Sequence, residues 1–183
     1  WKEVGIMSKV TALLVIDVQN GMFEEPEPMH DGPGLLERIE SLIGKAKASD
    51  APVIYVQHNE DEGYPLATGS TGWGIHPRIA PTAGEPTIQK HVPDAFQNTD
   101  LQEVLTRLGV GRLVMAGLQT DMCIAATAKG AHDRGYEVAV VKDGHSTWGQ
   151  GGESGLQIIG RYNDKFRSFA ANPSASEVDF RSA

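Results

Sequence analysis

The sequence predicts a three-layer α/β/α sandwich built on a mainly parallel, doubly wound sheet of about six strands. Three observations carry this expectation. Short apolar runs rich in branched residues, such as TALLVIDV and YEVAVV, have the pattern of strands covered on both faces. Amphipathic helical segments separate these runs, and alternation of strand with helix implies right-handed crossovers. The chain of 183 residues is ample for one hydrophobic core and short for two.

Met7-Ser8 resembles a native start, so residues 1–6 are set aside as an appended remnant and one domain is expected over residues 7–183. The first strand is Thr11 to Val18. A helix follows from about Gly34 to Ser49, with Leu35, Leu36, Ile39, Leu42 and Ile43 on one face. Pro52 to Gln57 repeats the strand pattern. The stretch Glu60 to Glu85 is too long for a plain connection and carries Trp73, His76 and several glycines; it is either a cover over a site or a surface excursion. Pro86 to Lys90 is a short third strand. Thr99 and Gln102 have capping-box spacing for a helix whose stripe is Leu101, Val104, Leu105 and Leu108, ended by Gly109. Arg112 to Ala116 is the fourth strand. Thr120 is the expected cap of a helix that holds Cys123 and runs to about Arg134, with Gly135 as its stop. Tyr136 to Val141 is the fifth strand. The glycine-rich stretch Gly144 to Gly155 is a lid or a linker, a last helix spans roughly Glu153 to Ala170, and Val178 to Phe180 is the sixth, edge strand.

Composition narrows the function. A net charge of -8 opposes binding along a phosphate backbone, which needs clustered Lys and Arg, so no nucleic-acid partner is expected. Apolar runs are far shorter than a membrane span and no leader pattern opens the chain, so no membrane partner is expected and a cytoplasmic location is. A single cysteine builds no internal disulfide and no multi-thiolate zinc site. The six histidines show no H-x-H or H-E-x-x-H grouping, so neither a metal nor another cofactor is expected.

In a sheet of this kind ligands bind outside the carboxyl ends of the strands. There the first strand delivers Asp17, the third Lys90, and the fourth leads through Gly117 to Cys123. Asp17 ends a buried run, where an ionised carboxylate needs partners. If Thr120 caps the helix, Cys123 lies in its first turn, where free amide N–H groups and the positive end of the dipole favour a thiolate; Lys90 would add to that shift. Each residue also has a plain structural reading: a small core thiol, a structural salt bridge and a solvated lysine.

Three ordered motifs resemble the isochorismatase-like cysteine hydrolases: ALLVIDVQNGMF around Asp17, IQKHVPDAFQNTDL around Lys90, and VMAGLQTDMCIAATAKGAHDRGYEV around Cys123, followed by VVKDGHSTW. The resemblance implies that Asp17, Lys90 and Cys123 form a catalytic triad. It also implies a non-proline cis peptide between Leu118 and Gln119, with the backbone N–H groups of Gln119 and Cys123 forming an oxyanion hole. The implied reaction is hydrolysis of a small-molecule amide through a thioester, in a pocket shaped by Gln19, Phe23 and Trp73. Relatives are commonly dimers or tetramers, and self-association is expected here.

The match departs from the nicotinamidases of that family, which bind a metal through an Asp-x-His motif after the second strand. Here the same place reads YVQHNEDEG, leaving His58 without its Asp. Metal and nicotinamide are therefore not expected, and LATGSTGWGIHPRI is more similar to members acting on streptothricin, ureido compounds or other small amides. Two alternatives stand beside the amidase reading. Relatives that cleave the vinyl ether of isochorismate lack the cysteine, which weighs against that chemistry. A noncatalytic ligand-binding member would carry an inert thiol; a nucleotide-binding module would need a G-x-G-x-x-G turn that DVQNGMF lacks.

Overall fold

The computed structural model describes residues 9–24 and 26–181. The segment 1–6 set aside on sequence grounds lies outside these. Five strands form one sheet, all pairs parallel, in the order β3-β2-β1-β4-β5: β1 Val10–Ile16, β2 Val53–His58, β3 Thr87–Lys90, β4 Val110–Leu118 and β5 Glu137–Ser146. Strand order reverses between β1 and β4, so the crevice that doubly wound sheets use for ligands opens at the carboxyl ends of these two strands.

Alternation within β1 shows why both faces of the sheet are covered. Leu13 and Val15 belong to one core and Ala12, Leu14 and Ile16 to the other. The first core is closed by α1, Gly32–Ala48, whose Leu35, Ile39 and Leu42 are fully buried. Helix α1 begins two residues earlier than its apolar stripe suggests, because the Asp31 side chain accepts from the Gly34 amide and Pro33 fits the first turn. The second core is closed by α2 Leu101–Arg107, α3 Ala125–Asp133 and α4 Gly155–Phe166, through residues such as Leu105, Ala128, Ala131 and Phe166. Among the described residues no helix is long and apolar enough to cross a membrane.

Several boundaries differ from the sequence expectation. The sheet has five strands among the described residues, not six. Val178 and Phe180 are buried against the α1 core without joining a ladder, and Lys45 Nζ donates to the carbonyls of Ala175 and Ser176 at 2.8 and 2.9 Å, holding this segment across the helix layer. Strand β5 runs on through Gly144 to Ser146, so the glycine-rich stretch is partly strand. A Cβ at Gly144 would stand 2.8 Å from Val141 Cβ, which explains a glycine inside a strand. Thr99 caps from one position further out than expected: its hydroxyl accepts from the Leu101 amide at 3.2 Å, while Asp100 flanks α2. The last helix stops at Phe166, four residues early.

The long 60–85 connection packs over the carboxyl end of β1. Asn20 and Gly21 amides donate to the carbonyls of Gly74 and Gly72, and the His76 amide donates to Val18, at 2.8 to 2.9 Å. A Cβ at Gly72 would lie 2.1 Å from the Pro65 carbonyl oxygen, so only glycine allows this approach.

Candidate active site

Asp17 follows β1 with φ +54°, a left-handed conformation that Asp tolerates better than most residues and that turns the chain out of the sheet. Lys90 is the last residue of β3, and β3 pairs with β2 in a register that sets it beside His58. Beyond β4, the Leu118–Gln119 peptide is cis, as the resemblance implied, and a single π-helical turn, Thr120–Ile124, carries Cys123. Three strand ends and this turn thus meet at the switch point.

Lys90 Nζ is the centre of the cluster. It lies 2.9 Å from Asp17 Oδ2, 3.1 Å from Cys123 Sγ and 2.7 Å from His58 Nδ1. Asp17 and Lys90 are fully buried and Cys123 nearly so. The Asp17–Lys90 contact is an ion pair without hydrogen-bond alignment, and neither carboxylate oxygen has an aligned partner among the described residues. The carboxylate therefore keeps acceptor capacity beside the thiol. Asp17, His58 and Cys123 also offer ligand atoms within 4.8 Å of one another, a set suited to a soft divalent ion. The Lys90 ammonium already stands within contact distance of all three, so an ion would have to displace it.

The electrostatics differ from the sequence expectation of a depressed thiol. Burial pushes the Cys123 thiol up to about 12, the charge of Asp17 pushes the same way, and Lys90 opposes both. Burial likewise raises the Asp17 carboxyl, against the charge of Lys90 and its contacts with Cys123 and Lys90. The reason is net charge. Asp17 carboxylate, Lys90 ammonium and a neutral thiol sum to zero, and losing the thiol proton to solvent would leave one buried negative charge. Passing that proton to Asp17 keeps the site neutral. The premise of a capped helix end also changes. Cys123 precedes α3 rather than opening it, and the Thr120 hydroxyl meets His145 Nδ1 at 2.7 Å instead of serving as the helix cap.

A cavity of about 350 Å³ opens beside Gln119, walled by Met22, Glu60, Pro65, Leu66 and Trp148 among others. None of the three residues expected to shape the pocket lines it. Gln19 is buried, and its amide is consumed by backbone: Nε2 donates to His58 O and Trp73 O at 2.9 Å, while Oε1 accepts from the His58 amide at 3.0 Å. Phe23 lines a separate apolar cavity of about 420 Å³, edge-on to His76. Trp73 contributes its carbonyl to Gln19 and Gln57, and its indole nitrogen is buried without a partner among the described residues. Sequence reasoning missed His58 as a neighbour of Lys90 and Trp148 and Leu66 as walls of the cavity beside Gln119. Only His58 left a usable signal, since a residue ending the strand next to Lys90 shares its edge of the sheet.

Comparison with known proteins assigns the chain to a family. A family model described as the isochorismatase domain matches residues 11–154. A streptothricin hydrolase of Streptomyces noursei is 34% identical over 139 residues, covering 76% of this chain and 55% of that protein. This chain therefore spans about half the length of that relative. Among solved structures, an isochorismatase from Pseudomonas putida KT2440 superposes with a TM-score of 0.88 at 25% identity, covering 92% of this chain and 89% of the other. N-carbamoylsarcosine amidase from Thermoplasma acidophilum gives a TM-score of 0.80 at 25% identity, covering 92% and 98%. Each of the three strand-end motifs falls inside the matched span, and the chain belongs to the isochorismatase family.

Proposed function

We propose that this protein is a cysteine-nucleophile hydrolase that cleaves the C–N bond of a small amide or ureido compound through a thioester on Cys123. The observation that carries the reading is the convergence on Lys90 Nζ of a carboxylate and a thiol from different strand ends, inside a buried site where a thiolate forms without net charge only if its proton moves to the carboxylate. The names of two relatives, a streptothricin hydrolase and an N-carbamoylsarcosine amidase, support amide chemistry in this branch.

In this reading the Asp17 carboxylate takes the thiol proton as Cys123 Sγ forms a bond to the carbonyl carbon. The carbonyl oxygen becomes an oxyanion beside the backbone N–H groups of Gln119 and Cys123, where fixed donors favour the developing charge. Collapse breaks the C–N bond, and Asp17 returns the proton to the leaving nitrogen. Asp17 then takes a proton from a water molecule whose oxygen attacks the thioester carbon; collapse breaks the C–S bond and expels the thiolate, which recovers that proton from Asp17. Lys90 stays protonated throughout and balances whichever neighbour is charged. The cavity beside Gln119 has the size of a small-molecule pocket. The same reading takes residues 7–183 as one catalytic domain acting as a homodimer or homotetramer.

The test is to incubate the protein with a panel of small primary amides and ureido compounds, measuring ammonia or amine release and quenching in acid for intact-mass analysis. Release together with an acyl adduct on Cys123, both lost in a folded Cys123→Ala variant, is expected. Turnover that survives Cys123→Ala would contradict the nucleophile assignment.

A further inference from the structure

The fully buried Lys90 ammonium is held on three sides. A lysine ammonium has three N–H groups and accepts nothing. Lys90 Nζ makes hydrogen bonds with Cys123 Sγ and His58 Nδ1 and stands 2.9 Å from Asp17 Oδ2 as an ion pair, and the contact with His58, at 2.7 Å, is the shortest of the three. Because the ammonium only donates, His58 Nδ1 is the acceptor, and the imidazole is neutral with its proton on Nε2.

We infer that His58 is a positioning residue of the candidate site: its neutral imidazole takes one N–H of Lys90 and thereby holds the ammonium against the thiol and carboxylate of the proposed triad. This rests on the reading of Cys123 as the nucleophile. Three features make the arrangement specific. Lys90 is wholly buried, so an N–H released by His58 has no bulk water to turn to and the ammonium must swing away from the sulfur. His58 is the last residue of β2 and is paired in register with Lys90, so its ring is delivered by the sheet rather than by a loop. Its backbone is clamped on both sides by the Gln19 amide, which accepts from the His58 N–H and donates to its carbonyl.

Protonation would turn the acceptor into a donor and set an imidazolium against the ammonium. The groups that face His58 are Lys90, Asp17 and Cys123 within the cluster, His91 just after β3, and Glu60, Asp61 and Tyr64 around the cavity that His58 also lines. Burial and then Lys90 hold the ring below its ordinary value of 6.5, with Asp17 opposing. The neutral form is thus kept through the physiological range and given up in acid.

The experiment compares His58→Asn, whose Oδ1 takes the place of Nδ1 as an acceptor that does not titrate, with His58→Leu, which has similar bulk and no acceptor. The readout is the rate of iodoacetamide alkylation of Cys123 from about pH 5 to 9, which needs no substrate, followed by kcat and KM on any amide that is turned over. At pH ~8 the Asn variant is expected within about threefold of wild type and the Leu variant at least about tenfold slower, with the loss in kcat rather than KM. The acid limb of the wild-type profile should move to lower pH in the Asn variant. Equal rates in folded Leu and Asn variants, or an acid limb unchanged by Asn, would overturn the inference. If Leu does not fold, the rate and acid limb of the Asn variant decide it. A normal His58 pattern in alkylation with no acyl adduct on any amide would count against the hydrolase reading and leave the positioning of Lys90 standing.

Discussion

Acid should loosen this protein through one buried histidine. His145, near the end of β5, is 2% exposed. Its Nδ1 meets the Thr120 hydroxyl at 2.7 Å and its Nε2 meets Asn163 Oδ1 at 2.9 Å, tying α4 and β5 to the turn that carries Cys123. Burial lowers its pKa from 6.5 to about 4, and the hydrogen bond to Asn163 and the charge of Asp143 only partly oppose this. The folded value lies below the unfolded one, so between the two the unfolded chain holds a proton that the native state refuses. Stability is therefore full above pH 6.5 and falls as the pH drops towards 4. The window is worth about 3 kcal/mol from this group, a sizeable share of a typical domain's stability. Urea unfolding at about pH 7 and pH 4.5 measures it, with His145→Gln as the comparison. The variant should be less stable at neutral pH, where it gives up well-made contacts, yet lose about 2 to 3 kcal/mol less than wild type on acidification. Equal losses in the two proteins would refute the assignment of this acid sensitivity to His145.

Gly117 sits at the switch point with φ +131°, and a Cβ there would stand 2.0 Å from the Ile16 carbonyl oxygen. Gly117→Ala should cost about 3 kcal/mol or more in a denaturant melt, because backbone rather than a flexible side chain blocks the methyl group. Trp148 walls the cavity beside Gln119 and anchors its indole N–H on the Glu27 carbonyl at 2.8 Å. On the proposed reading of this cavity as the substrate pocket, Trp148→Ala should raise KM by about tenfold with kcat within a few-fold, because the lost wall is away from the reacting bond; steady-state kinetics on an amide found by the release screen checks it.

The layers of this fold were legible because burial on both faces leaves a plain trace. Runs such as ALLVI and VAVV are short and rich in branched residues, as strands covered twice are, and the stripe from Leu35 to Ile43 has the spacing of a helix covered once. The C-terminal segment misled for a physical reason: Val178 and Phe180 alternate like an edge strand, yet they are buried against the α1 core, and the carbonyls of Ala175, Ser176 and Val178 accept from Lys45 instead of joining a ladder. Asp17, Lys90 and Cys123 were legible as strand-end residues because a parallel sheet puts all carboxyl ends on one side. Their protonation was not. Sequence position suggested a helix end that would favour a thiolate, whereas three-dimensional burial beside a carboxylate disfavours one. Pocket walls were the least legible part. Gln19, Phe23 and Trp73 lie near the site in sequence, but Gln19 and the Trp73 carbonyl are spent on holding the 60–85 connection to the sheet, while Trp148 arrives from beyond β5.

The most direct test of the account is the pH dependence of Cys123 alkylation in wild type and Asp17→Asn. No other thiol competes. If the reactive thiolate arises by transfer of its proton to Asp17, the number of protons in the site does not change on activation. The wild-type rate should then be nearly flat from about pH 6.5 to 9, although the thiol releases its proton to solvent only near 12. Removing the acceptor should convert this plateau into an ordinary titration, with the rate rising about tenfold per pH unit up to a pKa below the wild-type value, because the charge of Asp17 no longer opposes the thiolate. A wild-type rate that already climbs about tenfold per pH unit across that range, unchanged by Asp17→Asn in folded protein, would contradict the account and leave Cys123 a buried structural thiol.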